Sequence, residues 1–478
     1  MFILYFSRLA LPLFKINEDL YEITNMNFAD YYFTRYKALP PFFDDSPNEK
    51  LGIVVIIPCI DDEFIFSTLD SLESANAINA KIEVIVNVNS GETTPQEIVE
   101  RNRVVFDGLK EKSEAGYYKN FSLLPILVEG TVRKKAGVGF ARKTAMDEAV
   151  RRFAAINNPD GLIVSLDADS LVAKSYFQEI EKALYKNPAR CFTFQFKHNY
   201  DVEAYPEDVI SACKLYEIYL RYYRLALKTF EFPFAIHTIG SCFAIRAEAY
   251  IKLGGMTTRQ GGEDFYFLQK AVKMHPVYEI REPIVFPSPR VSNRVPFGTG
   301  PSVRNILEQG AYSVYNFKLF GLLKTFYGLF TDMWNYYPEN FTQGHLVTKE
   351  DNSAMGEDVT AGIPEEIMNY IGSSTFNEIL SECRKYSSSP KTFVKRMYDN
   401  YDAFFIVKFL NSFNNSSDYP PVNVVEAGNI ILNYYSQYTV GVSVLPEECT
   451  HDKAEKCLSF CELNDLYEAI FKLDIRVE

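Results

Sequence analysis

Four short, nearly unbroken apolar runs constrain this chain more than any other feature: LGIVVIIP (51–58), AKIEVIVNVNS (80–90), GLIVSL (161–166) and CFTFQF (191–196). Each has the length of a strand and ends in, or is followed at once by, a turn former or a polar residue. A strand that faces water on one side alternates apolar and polar residues; one covered on both sides reads as a continuous run. Between the runs lie stretches with helical spacing. Ile65, Leu69 and Leu72 fall on one face, and 136–154 opens with glycines and continues as an amphipathic helix. A further helix is expected from Ser175, with Ser175 and Gln178 as a capping box and a stop before Pro188. Alternation of this kind predicts an α/β fold, a Rossmann-like, mainly parallel sheet with helices on both faces.

In such sheets ligands bind outside the carboxyl ends of the strands. Asp61, Asn89 and the pair Asp167/Asp169 all follow apolar runs, so they are expected on one rim. The pair is the most demanding of these. Two ionised carboxylates about 5 Å apart repel by roughly 3 kcal/mol at an effective dielectric of 20. A hard divalent cation removes that repulsion and prefers oxygen ligands. The plainer alternative is a loop in which each aspartate serves local backbone donors.

The rest of the chain sets limits. Its 478 residues suggest two to three domains, and a 47% hydrophobic, 15% aromatic composition supplies large cores. Residues 210–229 read as a long Tyr-rich helix whose aromatic stripe is core, and the pattern after about 305 is mostly helical. The net charge of −13 is uneven, for 351–478 hold 20 acidic against 10 basic side chains. That excludes a nucleic-acid partner, which selects a basic face. No apolar run reaches bilayer length. The N-terminal MFILYFSRLALPLF has neither a basic leader nor a small-residue cleavage site, so it reads as a strand or peripheral element, with membrane-surface contact as the alternative. Eight scattered cysteines fit a reducing compartment. The cluster Cys449, His451, Cys457 and Cys461 matches no zinc spacing.

Four segments in order carry a family resemblance: IVVIIPCIDDE, IEVIVNVNSG, GVGFARKTAMDEA with LIVSLDADS, and TIGSCFAIRAEAYIKLGGMTTRQGGEDFYFLQKA. Over roughly 50–300 the chain resembles family 2 glycosyltransferases of the GT-A fold. The resemblance implies metal-dependent transfer of a sugar from a nucleotide-sugar donor to an acceptor hydroxyl, with inversion. It implies Mg²⁺ or Mn²⁺ on Asp169 and Asp167, and Asp264 as base with Glu263 beside it. Pro58, Asp61, Asn89, Arg142, Asp167, Gly240, Arg290 and Arg294 would bind the nucleotide sugar. Phe265, Leu268 and Val272 recur at helical spacing, so Asp264 is expected at a helix N-terminus, where the dipole favours an anion. For Arg142 the residues leave two readings open, a diphosphate contact and a solvated helix charge.

The chain departs from the family's pattern in two places. Val88-Asn89 stands where an aspartate pair is common, and no histidine occurs from 276 to 344, where some members supply a metal ligand. Arg290 and Arg294 in SPRVSNRVPFGTG are offered instead as a diphosphate clamp on a mobile segment.

The expected organisation is an N-terminal extension packing on the core (1–50), a glycosyltransferase domain (51–304) and an acidic helical region (305–478). Expected partners are the donor and a saccharide, lipid-linked or small-molecule acceptor, met in the cytoplasm or at the inner face of the membrane. Three alternatives stay open: a retaining transferase, a sugar-phosphate nucleotidyltransferase, and a non-catalytic binding or assembly subunit. The second would want a Gly-rich basic loop after the first strand, where this chain has CIDDEF.

Overall fold

A computed structural model describes residues 27–132, 136–292, 297–335, 362–438 and 459–477. Arg294, residues 1–26 and Cys449, His451 and Cys457 lie outside the described residues. The chain forms two compact units, one from Met1–Lys197 and Thr238–Pro287, the other from His198–His237 and Ser288–Glu478. The boundary expected at 304/305 follows from the helical pattern after about 305; residues 198–237 group with the second unit.

The first unit is built on one eight-stranded sheet. Its strands are β1 (Leu51–Cys59), β2 (Lys81–Gly91), β3 (Ser122–Thr131), β4 (Leu162–Ser165), β5 (Leu171–Val172), β6 (Cys191–Phe196), β7 (Phe243–Arg246) and β8 (Val277–Phe286). Their order is β3-β2-β1-β4-β7-β6-β8-β5. The strands β3, β2, β1 and β4 run parallel. β7 is antiparallel to β4 and β6, β8 rejoins β6 in parallel, and β5 is antiparallel to β8. The fold is therefore mixed α/β, with a mainly parallel sheet and helices packed around it. The four apolar runs are β1, β2, β4 and β6, and all four are buried almost end to end. β3 also holds an apolar run, 123–128, interrupted by Pro125, which is tolerated because β3 is an edge strand where only one neighbour needs a ladder.

Helix Val138–Ala155 packs on β1, β2 and β4. It is buried on nearly every side, not amphipathic as its sequence suggests, because residues 27–50 cover its outer face. Tyr32 donates to Asp147 (2.8 Å), Arg151 to the Leu39 carbonyl (2.6 Å), and Arg152 bridges Glu83 of β2 (2.7 Å) and the Asp45 carbonyl (2.5 Å). Helix Tyr176–Lys186 does begin after Ser175, but without a capping box: Ser175 is itself helical in backbone and makes no side-chain cap, and Gln178 instead accepts from Asn76 at 3.0 Å.

The second unit is almost wholly helical. Helix Glu207–Lys228 is its hub and packs against Thr299–Gln309, Val424–Tyr438 and Phe460–Arg476. Its tyrosine stripe is core, as expected, with Tyr222 fully buried and Tyr216 nearly so. Charges are buried there too. Glu217 accepts from Arg221 (2.5 Å), His198 (2.7 Å) and Tyr467 (2.7 Å), while Asp474 accepts from Arg221 (2.7 Å) and Arg224 (2.6 Å) and pairs with His237 (2.8 Å). No described helix is long and apolar enough to cross a membrane.

Candidate active site

The site is assembled at the carboxyl ends of β2, β1 and β4, which are neighbours in the sheet. Asp167 and Asp169 lie in the turn between β4 and β5, each half-buried, with the buried Ala168 between them. Thr68 holds that turn by donating to the Ala168 carbonyl at 2.8 Å.

Glu263 and Asp264 begin helix Glu263–Met274, as the sequence spacing predicted. The loop leading to them rests on the N-terminus of helix Val138–Ala155. A Cβ at Gly139 would stand 2.3 Å from the Arg259 carbonyl oxygen, and one at Gly137 2.7 Å from Gln260 Cα. Only glycine permits that approach, which accounts for the GVG of the sequence.

Arg142, one turn into the same helix, joins these parts. Its Nε donates to Glu263 Oε1 at 3.1 Å and its Nη2 to Asp167 Oδ1 at 3.0 Å. Its Nη1 donates to Ser165 Oγ, and to the Gly240 carbonyl at 2.9 Å. The side chain is 3% exposed, as is that of Glu263, whereas Asp167 is 36% exposed. Arg142 is thus not a solvated helix charge. Gly240 closes the other side, where a Cβ would lie 2.6 Å from Arg142 Nη2 and 3.3 Å from Asp264 Oδ2.

Negative charge outweighs positive in this cluster. Burial and the neighbouring Glu263 push the Asp264 carboxyl up to about 7, against the opposing pull of Arg142 and the Phe265 N–H. Burial disfavours the charged Arg142, but Asp167, Glu263 and Asp264 together hold its pKa above the ordinary range.

The donor set suits a hard cation: carboxylate oxygens carrying excess negative charge, and an Asp167 whose Oδ1 is engaged by Arg142 while no described residue donates to Oδ2. Among the described residues no three His, Cys, Asp or Glu side chains converge on a metal position. Magnesium-type sites are commonly made by one or two carboxylates together with substrate phosphates.

The remaining sequence candidates are placed as follows. Pro58 lies in β1 opposite Asn87 of β2. Asp61, with φ of 49°, makes a two-pronged ion pair with Arg101 at 2.6 and 3.0 Å. Asn89 is buried in β2. Asn102 ties these two together, accepting from the Asp61 N–H (2.8 Å) and donating to the Asn89 carbonyl (3.1 Å). Arg290 belongs to the second unit, where its backbone N–H reaches Ser288 Oγ at 3.3 Å. Ser165 and Asn102 were not foreseen; a single serine ending a strand and a single asparagine on a helix carry no sequence signal.

No family model and no curated protein matches the chain. Among solved structures it is similar to S. aureus TarS 1–349 in complex with UDP-GlcNAc, at 12% identity, over 73% of this chain and 92% of that one, with a TM-score of 0.35. It is also similar to the mannosyltransferase PcManGT from Pyrobaculum calidifontis in complex with GDP-Man and Mn²⁺, at 15% identity, over 81% and 98%, with a TM-score of 0.30. Neither likeness transfers a substrate or a residue role to this chain.

Proposed function

We propose that this protein is a GT-A-type glycosyltransferase, which moves a sugar from a nucleotide-sugar donor to an acceptor hydroxyl with inversion. The observation that carries the reading is the convergence, through Arg142, of the Asp167 turn at the end of β4 with the Glu263–Asp264 helix start. Mg²⁺ or Mn²⁺ held by Asp167 and Asp169 would neutralise the diphosphate as it leaves. Asp264 is the base. It is half-buried, and a carboxyl with a pKa near 7 is matched to accepting a hydroxyl proton at neutral pH. Glu263 is too buried to meet a substrate and serves as Arg142's partner. Asp61, Asn89 and Asn102 form the rim on which the nucleoside would lie. The donor chemistry is assigned to the first unit, and the acidic region after 305 to acceptor recognition or assembly.

The test is release of nucleoside diphosphate from a panel of UDP- and GDP-sugars, with Mg²⁺, with Mn²⁺ and with chelator. Metal-dependent release that is lost in Asp169→Ala, with the fold intact by circular dichroism, is the expected result. A panel from which nothing is released under any condition would sink the reading. Release that is undiminished in Asp169→Ala would remove this residue from the metal site.

A further inference from the structure

We propose that Arg142 is a positioning residue for transfer: a buried cation that locks the Asp167 turn to the Glu263–Asp264 helix, and so fixes where the metal-holding carboxylate stands relative to the base. The inference rests on the sugar-transfer reading above, and it assigns Arg142 a role other than the diphosphate contact that the family resemblance implies.

Accessibility is the first argument. At 3% side-chain exposure, Arg142 offers no surface to a diphosphate, whereas its partner Asp167 is 36% exposed. It acts on the site from behind. The second argument is the fan of its bonds. Ser165 and Asp167 bracket the end of β4, Gly240 precedes β7, and Glu263 opens a helix; these are three segments remote in sequence and held by one planar group. A buried guanidinium persists only when paired in this way, so displacement of any one segment is opposed by the others. The third is the missing room at Gly240, where a Cβ would stand 2.6 Å from Nη2, so the guanidinium packs directly against the glycine whose carbonyl Nη1 also bonds.

Asp264 takes no hydrogen bond from Arg142. Its position follows from that of Glu263, the preceding residue of the same helix. A lysine at 142 would keep the charge but could not span Glu263 and Asp167 together with the fixed fork of a guanidinium.

The experiment uses the full chain with Arg142→Lys and, as a milder variant that should fold in any event, Ser165→Ala. Four quantities are measured: the melting temperature, binding of MnCl₂ alone by the loss of its free electron-paramagnetic signal, binding of UDP and GDP in the presence of MnCl₂, and turnover of the active donor. For Arg142→Lys the expected pattern is Mn²⁺ affinity equal to or tighter than wild type, nucleoside diphosphate affinity within about fivefold, and turnover lower by about 10²-fold, the scale of a small misplacement of reacting groups. Ser165→Ala should show the same pattern at smaller amplitude.

A loss of diphosphate affinity above tenfold with turnover retained would make Arg142 a substrate contact and overturn the proposal. So would wild-type turnover in both variants. A double-mutant cycle of Arg142→Lys with Glu263→Gln, read by melting of the unliganded protein, tests the geometry without any donor. Non-additive losses are expected, and strictly additive ones overturn the proposed lock. Non-additive melting losses in the cycle, together with a wild-type protein that releases no diphosphate from any donor, would instead overturn the sugar-transfer reading, and the role in transfer with it.

Discussion

Gly240→Ala is a one-carbon perturbation with a worked consequence. The added Cβ would sit 2.6 Å from Arg142 Nη2, against an ordinary contact of 3.4 Å or more, so one of the two must retreat by about 0.8 Å. The guanidinium cannot give freely. A shift of that size carries the bonds to Asp167 (3.0 Å) and Glu263 (3.1 Å) past hydrogen-bonding distance, around a guanidinium that is itself buried. Overpacking of this kind costs about 1–3 kcal/mol. For a unit of this size each kcal/mol lowers the melting temperature by roughly 2–4 °C. The same shift moves Asp167 relative to Asp264, so turnover should fall about 10²-fold while folded protein is still recovered in quantity.

Melting by circular dichroism and diphosphate release read the two effects separately. Gly321→Ala serves as the contrast. It lies inside helix Phe317–Gly328 with open space where its Cβ would go, so it should gain about 0.5–1 kcal/mol. A Gly240→Ala protein that melts and turns over like wild type would show that the contact has slack and that Arg142 is not confined.

Other outcomes follow from the same structure. Asp264→Asn keeps size and shape, so donor dissociation constants should stay within a few-fold while turnover drops about 10²–10⁴-fold; a variant with near wild-type turnover removes Asp264 as base. In the second unit, Asp474→Asn removes the carboxylate from the buried Arg224 and leaves Arg221 with Glu217 alone, and should cost about 3–5 kcal/mol, measured by urea unfolding. Burial pushes both Glu217 and Asp474 up, but the adjoining arginines and histidines outweigh it and hold both below the usual carboxylate range. Their stabilisation is therefore complete above the unfolded pKa near 4, and is lost as pH falls below it toward the folded values. A midpoint in urea that does not drop between pH 6 and pH 3 contradicts that sign. Charge-reversing changes at exposed positions of 362–438, for example Lys391→Glu, should leave nucleoside diphosphate binding unchanged by calorimetry; loss of binding would count against placing donor chemistry in the first unit.

The sequence by itself determined the elements whose physics is local. β1, β2, β4 and β6 announce themselves because strands covered on both faces cannot afford polar positions. The start of helix Glu263–Met274 is likewise legible from spacing, as is the rim shared by Asp61, Asn89 and Asp167. What the sequence left undecided depends on covering and convergence. β3 has an apolar run at 123–128, but Pro125 in its middle reads against a strand and is tolerated only because the sheet leaves β3 at its edge, and β8 carries polar residues because it is less enclosed. Helix Val138–Ala155 is buried all round only because residues 27–50 lie over it, and the helix's own periodicity holds no record of that cover. Arg142 reads equally as a solvated charge or a phosphate contact until the chain brings Ser165, Asp167, Gly240 and Glu263 around it. Hydrophobic periodicity is written along one element. The pairing of Arg142 is set by partners up to 121 residues away, and only the folded chain brings them within 3.1 Å.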